Sequence, residues 1–117
     1  MNHRVERVAG QLRAELSAAI REDLRDPRLR SMVTLTRARV SADLQHAVVA
    51  VSVLGGETER REALTALHAA AGLLRGRLGA RLRLKRAPSL RFELDAGVEE
   101  GDRVLAAIDR VTGGADG

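Results

Sequence analysis

The sequence predicts an α+β domain, a three-stranded sheet with helices packed on one face. Three observations carry this. Apolar residues recur at helical spacing over 3–25, from Glu57 onward and over 99–111. Three short runs, 32–40, 46–54 and 90–94, alternate or are Val-rich as strands are. Turn residues separate these stretches, and no internal repeat or interdomain linker divides the chain. The element order is therefore α-β-β-α(kink)α-β-α.

In the first helix, Val5, Val8, Leu12, Leu16, Ala19, Ile20 and Leu24 form one apolar stripe. Arg4, Arg7, Arg13 and Arg21 lie outside it, and Asn2 is a candidate N-cap. Asp26-Pro27 ends the helix, because the residue before a proline is pushed out of the α region. In the first strand, Val33 and Leu35 share one parity and Ala38 and Val40 the other. A bulge near Thr36–Arg37 reconciles them. After the turn Ser41-Ala42-Asp43 comes the second strand. It is apolar on both parities, as a central or doubly covered strand should be. The short connection predicts an antiparallel hairpin.

Gly55-Gly56 ends that strand, and a second amphipathic helix follows. Leu64, Leu67, Ala71, Leu74 and Leu78 mark its apolar face. Ala70, Ala71 and Gly72 interrupt it, and a kink between Ala70 and Leu73 is expected, held by Gly72. Pro88 then opens a strand in which Leu90, Phe92 and Leu94 alternate with Arg91, Glu93 and Asp95. A last helix is expected over 99–111. Residues 1–111 make one domain, and 112–117 a flexible tail.

The chain has 117 residues, enough for one domain with a modest core. Phe92 is its only aromatic residue, so the core must be aliphatic. It has no cysteine, which excludes disulfides and thiol chemistry. No apolar run approaches the ~20 residues that span a bilayer, and the start lacks a signal-peptide pattern. A cytoplasmic protein without membrane contact is expected.

Catalysis finds no constellation here. His3, His46 and His68 fall on different elements, none at ligand spacing. The serines lack a nucleophile-elbow setting, and no phosphate-binding glycine motif occurs. The expectation is a protein that is not an enzyme and holds no cofactor or metal.

Charge is more informative. The net charge is only +4, but its distribution is one-sided. Arg75, Arg77, Arg81, Arg83, Lys85, Arg86 and Arg91 follow one another with no acid between Glu62 and Glu93. Solvated helix faces normally mix signs, so an anionic partner is expected. Modules that stack bases on aromatics are excluded by composition. A KH domain needs no aromatics, since it clamps a backbone where small residues admit phosphates. Ala70-Ala71-Gly72 supplies the small residues but not a full loop. Close helix–sheet packing explains the same alanines equally well.

The ordered set Arg7-Val8-Ala9, Asp26-Pro27-Arg28-Leu29, Ser41-x-Asp43-Leu44, Ala70-Ala71-Gly72, Leu82-Arg83-Leu84 and Pro88-x-Leu90-x-Phe92 resembles the ribosome-binding factor A family. The resemblance covers about residues 4–111. It implies a single type II KH-like domain in which an A-x-G kink replaces the usual GxxG loop. It also implies a factor that binds the free small (30S) ribosomal subunit and its 16S rRNA, assists late maturation and rRNA processing, and serves growth in the cold. Ribosomal proteins and other assembly factors are further implied partners, and a monomer is expected.

Phosphate contacts are expected from Arg75, Arg77, Arg81, Arg83, Lys85 and Arg86. Arg4, Arg7, Arg28 and Arg30 come second, and Ala70, Ala71 and Gly72 shape the kink. Two alternatives stay open: a general KH-like RNA-binding protein, and a protein–protein module using the last helix and the acidic C-terminal face.

Overall fold

The structure, a computed structural model, describes residues 3–95, apart from the side chains of residues 30 and 31. The expected helix over 99–111 and the tail 112–117 lie outside the described residues.

Helix α1 spans His3–Asp23 and buries Leu12, Leu16, Ala19 and Ile20, the expected stripe. It ends before the predicted residue 25. Asp26 then starts a second, short helix α2, Pro27–Ser31. The Asp26 carboxylate accepts the Arg28 backbone N–H at 3.0 Å, and Pro27 takes the first helical position, where a missing N–H costs nothing. The same dipeptide thus stops one helix and starts another. The sequence reading used only the first role.

Strands β1 (Val33–Val40) and β2 (His46–Val53) form an antiparallel hairpin. Its register shifts between Leu35 and Arg37, the bulge that the parity change required. The turn is a polar clasp. The Ser41 hydroxyl donates to Asp43 at 2.6 Å and accepts the His46 N–H at 3.0 Å, with Ser41 fully buried. Asp43 also accepts the Gln45 N–H. Leu44 completes the turn with φ 61°.

Helices α3 (Glu57–Ala69) and α4 (Ala71–Leu82) cross back over the sheet to β3 (Ser89–Leu94), which pairs parallel with β2. The order β1-β2-β3 makes β2 central, as its apolar run implied. Leu12 and Leu16 of α1, Leu67 of α3, Leu74 and Leu78 of α4, and Val49 of the sheet have no exposed surface. Each such side chain contributes about 1.5–3 kcal/mol by leaving water. Phe92 is the one aromatic in this core. Its backbone N–H donates to His68 Nε2 at 3.1 Å, and the two rings meet edge to face at 5.8 Å. This is the α+β arrangement that the sequence predicted, with a KH-like order of elements.

Candidate nucleic-acid interface

The α3–α4 junction turns on Ala70, at φ −88° and ψ −3°, not on Gly72. Hydrogen bonding continues through it. The Ala70 N–H donates to Ala66 O at 3.0 Å, and its carbonyl accepts the Leu74 N–H at 2.9 Å. Gly72 lies in the first turn of α4, and a Cβ built on it meets no atom within 4 Å. Its φ is not positive, so glycine is not required there for backbone reasons. The expectation that Gly72 holds the kink is corrected accordingly.

Gly72 instead helps to form a groove. Gly72, Gly76 and Gly79 recur at steps of four and three, so they share one side of α4 and leave it without side chains. Facing them is the connection to β3. The groove between is rimmed by Arg75, Lys85 and Arg86, and no carboxylate lines it among the described residues. The Arg75 Nε donates to Ala87 O at 2.9 Å, which fixes its guanidinium on the wall. Lys85 and Arg86 are exposed. The sequence reading found these three cations. It missed the glycine row, although that spacing was visible.

Arg83 stands beside the groove in an unusual conformation, φ 54° and ψ 42°. Its N–H reaches Ala80 O at 3.4 Å, and the Leu84 N–H reaches Gly79 O at 2.9 Å. This pair of bonds is a Schellman cap, and arginine occupies the position usually held by glycine. The cap turns the chain sharply, so Lys85 and Arg86 fold back along α4.

Other predicted contacts are engaged elsewhere. Arg81 is clamped to α1, donating to Glu22 at 2.6 Å and Glu15 at 3.3 Å, with Asp23 at 3.7 Å. Those hydrogen bonds hold its guanidinium charged still more firmly than usual. Its side chain is only 28% exposed. Arg77 lies 3.8 Å from Asp23 but keeps 55% of its surface. Both lie at the surface, but the Arg81 side chain is tied down there, because three carboxylates of α1 converge on it. Arg28 is held by Asp26 at 3.1 Å and Glu62 at 2.7 Å, and so joins α2 to α3. The backbone of Arg30 lies in α2, and its side chain is outside the described residues. Arg4 and Arg7 are exposed near the start of α1 and do not line the groove. Of the ten basic residues singled out, the structure gathers Arg75, Lys85 and Arg86 around one groove, with Arg83 adjoining.

The family model of ribosome-binding factor A matches residues 4–108. Ribosome-binding factor A of Prochlorococcus marinus (strain MIT 9303) is 46% identical over 109 residues, covering 92% of this chain and 77% of that protein. The crystal structure of ribosome-binding factor A from Thermus thermophilus superposes with a TM-score of 0.67 at 32% identity, over 77% of this chain and 94% of that one. A Thermus thermophilus ribosome binding factor A, fitted as a homology model into a cryo-EM map of its complex with the 30S subunit, gives a TM-score of 0.60 at 32% identity. It covers 73% of this chain and 88% of that one. With a family match across most of its length and relatives of 32–46% identity, this chain belongs to the ribosome-binding factor A family.

Proposed function

We propose that this protein binds the free small ribosomal subunit through its 16S rRNA, using the α4 groove, and assists late maturation and rRNA processing. The carrying observation is a groove with a glycine floor, the cations Arg75, Lys85 and Arg86 on its rim and no acid among its described lining residues. A phosphate backbone needs close approach and positive charge, and this groove offers both. Without base-stacking aromatics, recognition rests on the shape of folded RNA rather than on base sequence. A relative fitted into a 30S complex supports the choice of partner. A protein that works on the subunit belongs in the cytoplasm, and assistance to folding rRNA suits growth in the cold.

Co-sedimentation with purified small subunits tests the reading. Lys85→Glu with Arg86→Glu should abolish co-migration at moderate salt while the melting temperature stays unchanged. Full binding by that variant would refute the groove as the site. A stable homodimer that ignores subunits altogether would refute the function.

A further inference from the structure

A second groove lies on the other side of α1, and the function above makes no use of it. It runs between α1 and β1, an edge strand of the sheet among the described residues. Arg13, Ser17 and Arg21 line it from the helix and Thr34 from the strand, above the apolar Ile20 and Leu29. Among the described residues, no carboxylate lines it.

The spacing along α1 explains this. Arg13, Ser17 and Arg21 follow one another at steps of four, so they stack in one row. Glu15 and Glu22 fall on the opposite row, where both bond to Arg81 of α4. The helix therefore turns its acids to α4 and its bases to the edge of the sheet. Arg13 and Arg21 stand about 12 Å apart along the axis, a span that admits two phosphates of one strand with a third between them near the Ser17 hydroxyl. Guanidinium forks engage phosphate bidentately, and hydroxyls donate to phosphate and sugar oxygens.

We propose that the α1–β1 groove is a second RNA-backbone site, in which Arg13 and Arg21 grip phosphates of one strand and Ser17 and Thr34 bond the oxygens between. This rests on the reading that the partner is rRNA, but it uses none of the α4 residues. The protein then holds two RNA segments at once, one on each side of α1. Each contact raises the effective concentration of the other.

The chain has no cysteine, so a single introduced thiol carries a photo-crosslinker without competition. Three variants are compared on purified small subunits: Ala14→Cys in this groove, Ala80→Cys in the α4 groove, and Thr65→Cys on α3, which lines neither. Residues 14 and 80 should both crosslink to rRNA, and residue 65 should not. A crosslink from residue 14 to protein overturns the proposal. So does silence at 14 while 80 marks rRNA, and in both cases the α4 reading survives. Silence at both overturns both. Separately, Arg13→Gln with Arg21→Gln should reduce the slope of log K against log salt by about 1.5. An unchanged slope in a variant that melts normally also overturns the second site.

Discussion

Arg81 donates to Glu22 across 2.6 Å, and this bond ties the C-terminal turn of α4 to the end of α1. Arg81 also reaches Glu15 and lies near Asp23, whose Oδ2 is buried without a hydrogen-bond partner among the described residues. Removing the guanidinium leaves three carboxylates facing one another beside α4. Arg81→Gln should lower the melting temperature clearly more than Arg77→Gln, whose ion pair is long and exposed. Thermal melts by circular dichroism decide it. Equal melting of the two variants would remove Arg81 from its structural role.

Gly76 offers a test of the groove without touching charge. A Cβ there meets nothing within 4 Å, and the helix continues through it. Gly76→Met should therefore stabilise the fold by about 0.5–1 kcal/mol through helix propensity. The same side chain fills the groove, so subunit binding should fall by an order of magnitude or more. Gly72→Ala should stabilise in the same direction with a smaller loss of binding. A destabilised Gly72→Ala would restore the view that Gly72 holds the kink.

Arg83 occupies the left-handed region at φ 54°, where a side chain costs roughly 1–2 kcal/mol and glycine costs almost nothing. Arg83→Gly should stabilise the protein by about 1 kcal/mol. Urea denaturation measures this directly. If subunit binding falls at the same time, the arginine is kept there for its contact rather than for the turn.

Acid should unfold the protein through its turns. The Ser41 hydroxyl bonded to Asp43, with the Gln45 N–H, holds that carboxyl below its ordinary value of 3.8. The Arg28 side chain does the same for Asp26, helped by the Arg28 N–H. A folded-state value lowered in this way gives stability that is fully present above the unfolded value and is lost as pH falls through the folded one. Melting temperature should thus hold steady from neutral pH to about 4 and then drop. Asp43→Asn should be less stable at neutral pH and should show a shallower drop in acid.

Local signals carried most of the fold. Parity placed the bulge beside Thr36, and the register confirms it between Leu35 and Arg37. The run around Val49 marked β2 as the central strand. The candidate site was only half legible. The acid-free stretch pointed to α4 and its connection, and Arg75, Lys85 and Arg86 do rim one groove. Nothing in that stretch says that Arg81 is tied to α1, because its partners Glu15 and Glu22 belong to another helix. Pairing across such distances is set by packing, not by local pattern. The Arg28 ion pair was missed for the other reason. Its partner Asp26 sits two residues away, and an N-cap with proline behind it could have been read as a helix start.

The two strand pairings of the sheet differ in how far apart their members lie along the chain. β1 and β2 are joined by the short Ser41–Gln45 turn, while β3 reaches β2 only after the whole of α3 and α4. A loop of that length must be closed before the parallel pairing repays it. The hairpin with its Ser41–Asp43 clasp should form first, and the docking of β3 should limit the rate. The cations on the connection before β3 are then assembled into their groove last. A chain still emerging from its synthesis would hold the hairpin and α1 before it held the α4 groove proposed here for RNA.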